Sequence, residues 1–277
     1  MKYLLFILFI IAYPFSFCQA QTNEYAKMAK QEKLGTTNWT CVYEHKVYDP
    51  VMNKTEIYRQ ILQSSDAISL YHDYSDYQID SVVNLHDRNK VTIKDASSIY
   101  SKYRKNAKKC IIIKDFKKNI LSESAKVFTD SYVYKEEMPT FVWEKKTATN
   151  NICGFTCKEA TTTFRGRTWN VWYSEEIPQK DGPWKFSGLS GMILKAESED
   201  KEISFEAIWV EKQTVDILND IRQNDYKTSR EKLLKMQKTY SDNSKQIIQT
   251  ISEVREGALK NRRRFFNPIE TDIVSAK

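Results

Sequence analysis

From Trp39 to about Val210, apolar and ring side chains recur at every second residue in short runs, and this alternation constrains the chain more than any other feature. In Trp39-Thr40-Cys41-Val42-Tyr43-Glu44-His45-Lys46-Val47-Tyr48, positions 39, 41, 43, 45 and 47 fall on one face of an extended strand, with a turn at Asp49-Pro50 and Asn53. Neighbouring side chains of a strand point to opposite faces, so such a run offers one face to a core and the other to water or a cavity. Residues 56–63, 67–71, 79–85, 90–94, 110–114, 126–133, 141–145, 157–164, 168–173, 191–197 and 203–211 read the same way. They follow at hairpin spacing with no long helical pattern between them, which predicts an antiparallel meander. The more polar stretch 95–109 reads as a loop or short helix. A content of 41% hydrophobic and 13% aromatic residues suffices for a packed core, while seven glycines and six prolines leave little material for a glycine-rich phosphate cradle.

After Glu211 the period changes. Ile217, Leu218 and Ile221, then Leu233, Leu234 and Tyr240, then Ile247, Ile248, Ile251, Val254 and Ala258 follow helical spacing. Thr228-Ser229-Arg230-Glu231 fits a capping box and Ser241-Asp242-Asn243 a break, which predicts a helical hairpin over 216–264. Residues 219–264 hold twelve Lys/Arg against six acids, so this segment carries the basic excess while the strand region is neutral. Such a face suits a solvated surface, an anionic membrane or an envelope protein partner. Arg262-Arg263-Arg264 before Phe265-Phe266 is its most basic point, and it equally suits a helix C-terminus. The net charge of +7 is too small to imply nucleic acid.

Residues 1–20, MKYLLFILFIIAYPFSFCQA, read as a secretory signal peptide: Lys2, an apolar run over 4–12, and Cys18-Gln19-Ala20 at the cleavage site. Cleavage after Ala20 is expected, and large Phe17 before Cys18 argues against lipid attachment there. The expected location is outside the cytoplasm: periplasmic, outer-membrane-associated or secreted. Export leaves Cys41, Cys110, Cys153 and Cys157, an even number in an oxidising compartment, so at least one disulfide is expected, with three pairings open. Zinc is disfavoured, because a single C-x3-C and three histidines supply poor ligand arithmetic.

The most informative block is Ile152 to Leu194, about 43 residues. It contains Phe164-Arg165-Gly166-Arg167, Trp172-Tyr173, Glu176-Ile177-Pro178, Gly182-Pro183-Trp184-Lys185-Phe186 and Gly188-Leu189-Ser190-Gly191-Met192-Ile193, and Asn267-Pro268-Ile269-Glu270 follows near the end. In this order the elements resemble the GLPGLI family, exported proteins of Bacteroidetes-type bacteria. Ser190 stands where that motif has Pro and Met192 where it has Leu. The second change conserves volume, and the first removes a fixed φ from the turn. The family has no assigned activity, so the resemblance implies export and a strand-rich fold and transfers no catalytic residue.

The residues of the block also speak for themselves. Gly166 between two arginines suits a hairpin turn, and Gly188 and Gly191 suit a tight bend or close backbone approach. The block is a structural corner or an aromatic-lined mouth. In the second reading Trp169, Trp172, Trp184 and Phe186 surround an apolar hollow, and Arg165 and Arg167 at its rim hold an anionic headgroup or carboxylate.

Catalytic signatures are missing. His45, His72 and His86 stand apart from any ligand-spaced partner, and neither G-x-S-x-G nor a P-loop occurs. His72-Asp73, Asp76 and Asp80 among Tyr71, Tyr74 and Tyr77 lack the pattern of a calcium loop, and adjacent Glu175 and Glu176 make a poor acid–base pair. The sequence therefore predicts an α+β, mainly β chain: a signal peptide over 1–20, a curved, half-barrel-like antiparallel sheet over 21–215, the basic helical hairpin over 216–264 and a tail over 265–277. The expected role is a non-enzymatic binding or carrier protein for an amphipathic ligand (lipid, acyl chain or peptide), without cofactor or metal. The alternative is an envelope protein that docks a partner through its basic C-terminal helices.

Overall fold

The structure is a computed structural model that describes residues 25–26, 31–50, 52–85, 87–104, 106–219, 221–244 and 267–273. The expected signal peptide with Cys18, His86, the second helix of the expected hairpin and the Arg262–Phe266 run lie outside the described residues.

Strands β1 (Lys33–Thr36), β2 (Trp39–Asp49), β3 (Lys54–Ser64) and β4 (Ile68–Asp73) lead into helices α1 (Tyr74–Asn84) and α2 (Ile93–Tyr103). Then come β5 (Cys110–Asp115), β6 (Ile120–Val127), β7 (Asp130–Glu137), β8 (Glu144–Ile152), β9 (Phe155–Phe164), β10 (Arg167–Ser174), β11 (Met192–Ser198) and β12 (Ile203–Glu211). The chain continues through β13 (Asp216–Leu218), β14 (Tyr226–Lys227) and α3 (Arg230–Asp242). Among the described residues twelve strands form one sheet in the order β14-β7-β6-β5-β4-β3-β2-β12-β11-β10-β9-β8, antiparallel except where β14 joins β7. The alternation anticipated this meander: most of the expected strands are present within a few residues.

Leu121 of β6 and Ile152 of β8, far apart in the sheet order, share one core cluster with Tyr43, Tyr71, Trp169 and Phe205. Trp39 of β2 meets Phe155 of β9 edge-on at 6.2 Å, and the Cys153 thiol donates to the Ala207 carbonyl of β12 at 3.2 Å. Those contacts span strands that do not neighbour each other, so the sheet curls around its inner face. On the outer face Leu70, Ile111 and Ile113 are covered by Ile217 of β13, which pairs with β1.

Several expectations change. Residues 79–85 and 90–94 are not strands: Asp73 accepts from the Ser75 N–H at 2.9 Å and starts α1, whose Ile79 and Val83 are buried together one turn apart. Thr92 caps α2 in the same manner. Short runs of β-branched residues fit either period, and here the capping residues decided. Residues 126–133 break into two strands at Phe128, whose φ is 56°. Asp216–Leu218 forms strand β13 and not helix, because Ile217 covers the outer face of the sheet. In α3 the cap is Ser229, which accepts from the Lys232 N–H at 3.3 Å, in place of Thr228.

No disulfide joins the described cysteines, and Cys41, Cys110, Cys153 and Cys157 are free thiols. Cys41 on β2 and Cys110 on β5 are three strands apart, about 14 Å at normal strand spacing and beyond the reach of a bridge. Cys153 sits in the β8–β9 turn at φ 52°, whereas Cys157 is buried in the core from β9. Burial raises the Cys157 pKa to about 11 and that of Cys110 to about 12, so neither is a ready nucleophile. Among the described residues no helix is long and apolar enough to cross a membrane.

Candidate functional site

The segment between β10 and β11 folds into the inner face of the sheet. Gly188 has φ 93°, and a Cβ at Gly191 would lie 2.0 Å from the Ser174 carbonyl oxygen, so both glycines are required as the sequence suggested. Ser190 donates to Glu175 at 2.6 Å, and this bond restrains the turn. Trp184 adopts a left-handed φ of 52°, an unusual state for a large side chain that the packed surroundings enforce.

The aromatic residues do come together, but the hollow between them is filled. Trp169 and Phe186 are fully buried and Trp184 nearly so; Phe186 meets Trp169 at 5.0 Å and Trp184 at 5.2 Å, both edge-on. Trp172 is half-buried against the same cluster. These rings are core, with offset and edge-on packing that ring quadrupoles favour.

Two ion-pair centres hold the corner. Lys114 of β5, completely buried, pairs with Asp181 and donates to the carbonyls of Gly182 at 2.8 Å and Phe186 at 3.2 Å. Ser64 donates to Asp181 at 2.7 Å. The second centre surrounds Lys185, which pairs with Glu270 and lies 2.8 Å from Glu123 and 3.6 Å from Glu136. The Tyr134 hydroxyl accepts from Lys185 at 2.6 Å and donates to Glu123 at 2.6 Å. Arg165 reaches Glu136 and Glu270, each at 2.6 Å, and Arg230 of α3 reaches Glu270 at 2.6 Å and Asp272 at 2.7 Å. Arg167 is held by Asp200, Asn267 and the Pro268 carbonyl. The two arginines therefore bind carboxylates of their own chain and anchor the segment 267–272. The Thr271 N–H of that segment also donates to the Arg165 carbonyl at 2.9 Å.

Glu270 and Lys185 hold their charges near neutral pH. Burial by itself would raise the Glu270 pKa, but Lys185 and Arg165 outweigh it and hold the carboxyl down to about 2. Burial likewise opposes the Lys185 charge, yet Glu123 and Glu270 keep its pKa above the usual value, while burial pushes the Tyr134 hydroxyl well up. Groups in such states orient and neutralise; they do not exchange protons at pH 7.

Spacing signals did not reveal Lys114, Asp181, Glu123, Glu136 or Tyr134, because their partners are up to 117 residues away in the chain, as Ser64 and Asp181 are. The acidic patch expected near His72 is spent on structure: Asp73 caps α1 and accepts from the Lys108 N–H, Asp76 pairs with Arg104 and Asp80 with Arg88. Glu175 pairs with Lys158, and Glu176 accepts from the Thr156 N–H.

Next to this centre a cleft of about 650 Å³ opens between the ends of β2, β3, β5, β6 and β7 on one side and α3 with residues 267–270 on the other. Val47, Leu234 and Ile269 give it apolar surface, the edge of Trp184 reaches it, and Lys185, Glu123 and Glu270 line it from the charged centre. A separate hollow of about 680 Å³ near Trp39 and Gln179 lies away from these charges.

His45 flanks the cleft, opposite Tyr58 on β3 and stacked on Phe205 at 4.4 Å, and neither ring nitrogen has a partner among the described residues. Burial, helped by Lys108, holds its pKa well below 6.5. The folded imidazole stays neutral while the unfolded one protonates, so stability falls as the pH drops below 6.5, by up to about 1.4 kcal/mol per pH unit. His45→Phe should remove this slope and stabilise the protein by about 1 kcal/mol at pH 7, because an unsatisfied buried polar group is replaced by a ring of similar shape. Chemical denaturation at pH 7 and pH 5 checks it; an unchanged slope rejects this source of acid sensitivity.

Among curated proteins none matches the chain. Two crystal forms of PNGF-II are similar in structure, each at 16% identity and a TM-score of 0.48, over 73% of this chain and 33% and 32% of theirs. This chain thus spans about a third of the length of PNGF-II. A lipoprotein-sorting outer-membrane protein domain from Vibrio parahaemolyticus gives a TM-score of only 0.20 at 7% identity, over 69% of this chain and 88% of that one. Residues 52–242 match the family model described as N-glycanase peptide, N-terminal domain. That match corrects the expectation that the chain stands apart from enzymes, which rested on the lack of a local catalytic motif; a domain of a larger enzyme need not carry one. With more than half of its length matched, the chain belongs to the N-glycanase peptide, N-terminal domain family.

Proposed function

We propose that this chain is an exported substrate-engaging module for N-glycanase-type chemistry, which holds an amphipathic peptide segment of a glycoprotein in the cleft beside α3. The observation that carries this reading is the lining of the cleft, where Val47, Leu234 and Ile269 share the wall with charged groups. An acyl chain would leave the lining lysines Lys54, Lys108, Lys109 and Lys126 without an anionic partner, whereas a peptide offers both apolar side chains and polar groups. In this reading the sheet curves as a half-barrel around the corner, and the GPWKF and GLSGMI elements mark GLPGLI proteins as relatives of the same domain. Docking through the basic helices has weaker support, since Arg230, Lys235 and Lys238 of α3 are already paired with carboxylates of the chain.

The test is titration of the full exported protein with an amphipathic glycopeptide and its sugar-free counterpart, read by tryptophan fluorescence. Binding of the peptide is expected, and Leu234→Asp should weaken it about tenfold with little change in melting temperature. No binding of either peptide overturns the reading. Glycan release from a denatured glycoprotein by the chain alone would place the chemistry itself in this domain and replace it.

A further inference from the structure

The wall of the cleft that the sheet supplies is rich in unpaired cations. On β3 the two-residue period puts Lys54, Glu56 and Tyr58 on one face, opposite Asp49, Val47 and His45 of β2. Lys108 and Lys109 before β5 and Lys126 of β6 line the same cleft. Lys185 is consumed by Glu123 and Glu270, but among the described residues no carboxylate pairs with Lys54, Lys108, Lys109 or Lys126. Among the described residues two further carboxylates line the cleft, Glu56 and Asp49, and Glu56 acts on Lys108 from beyond ion-pair distance, so five lysines face four carboxylates. Glu56 accepts from the Tyr58 hydroxyl, and Asp49 accepts from the Met52 N–H at 3.0 Å. The Lys108 ammonium lies over the Tyr58 ring at 5.2 Å. Burial pulls the pKa of Lys108 and of Lys109 down, a cost that an arriving carboxylate would relieve.

An excess of cations facing a partly apolar cleft selects its ligand by charge, since like charges are repelled and opposite charges are both attracted and steered. A flat anionic bilayer cannot enter a concave space between a sheet and a helix. We propose that the cleft takes an acidic amphipathic peptide, whose carboxylates pair with Lys54, Lys108, Lys109 and Lys126 while its apolar side chains lie against Val47 and Ile269. This rests on the reading that the cleft holds a peptide, and it adds which peptide. The carboxylates come from Asp and Glu side chains or from a free C-terminus.

The experiment measures fluorescence anisotropy of short labelled peptides with the full exported protein. Three share their apolar residues: an acidic peptide, the same peptide with Asn and Gln for Asp and Glu, and the acidic peptide with its C-terminus amidated. The acidic peptide should bind about tenfold more tightly than the Asn/Gln version, with the difference shrinking in high salt. Lys108→Gln with Lys126→Gln should erase most of that difference, and an unchanged melting temperature shows that the variant is folded. Loss on amidation alone assigns the contact to a C-terminus; no loss assigns it to side chains. Equal binding of the acidic and Asn/Gln peptides overturns the charge selection and leaves the peptide reading standing, whereas no binding of any peptide overturns both. Capture by phosphatidylglycerol vesicles in place of the peptides also overturns it, in favour of a bilayer.

Discussion

Gly191→Ala should destabilise the protein by about 3 kcal/mol or more, or prevent its folding. A Cβ there would stand 2.0 Å from the Ser174 oxygen, 2.5 Å from its carbonyl carbon and 2.8 Å from the Glu175 nitrogen. All three are backbone atoms, so no side chain can swing away, and relief requires β10 and β11 to separate where they pair Ser174 with Met192. The strained route also disturbs the Met192 N–H bond to Ile177, which closes the corner. Gly154→Ala is the matched control. It lies at φ 86° with nothing within 4 Å of the added carbon, so it should cost only about 1 kcal/mol of backbone strain. Urea denaturation of the two variants ranks them, and a Gly191→Ala protein as stable as Gly154→Ala would reject the close approach.

Glu270→Gln should cost about 3 kcal/mol, the lower end of what loss of one partner from a buried ion pair removes. Lys185 keeps Glu123 and Tyr134, Arg165 keeps Glu136, and Arg230 keeps Asp272, so no cation is wholly abandoned. The pH dependence separates this from a packing effect. A carboxyl depressed to about 2 from an ordinary 4.5 contributes stability that is fully present above pH 4.5 and is lost as the pH falls from there toward 2. The natural protein should therefore lose stability across that window and the glutamine variant should lose markedly less. Parallel acid profiles would show that the Lys185–Glu270 pair adds nothing to folding. Melting of the segment 267–272 before the sheet, seen by hydrogen exchange in the variant, would confirm that Glu270 is its anchor.

Legibility in the sequence followed the range of the interactions. β2, β3, β5 and β9 to β12 were readable because alternation is a property of consecutive residues and burial of one face imposes it. α1 was misread because Ile79, Val82 and Val83 satisfy a short strand as well as a helix, and the deciding bond from Ser75 to Asp73 is a local cap outside that run. Gly166, Gly188 and Gly191 could be singled out because a glycine in a turn has few other purposes. Arg165 and Lys185 were visible as motif residues, but the rim of a mouth and the interior of an ion-pair centre look alike until the carboxylates are located.

The sequence by itself determined the period of the strands, the corner that its glycines permit, the helix that Ser229 and its neighbours begin and the excess of cations after Glu211. Only the tertiary structure decided that Trp169, Trp184 and Phe186 fill the corner, that Lys114 meets Asp181, and that Glu270 gathers Lys185, Arg165 and Arg230. The physical reason is one of distance. Periodicity and capping are energies of residues a few places apart, whereas the pairing of a buried charge is decided by whichever distant segment the curled sheet brings within reach, and a charge without such a partner could not remain buried.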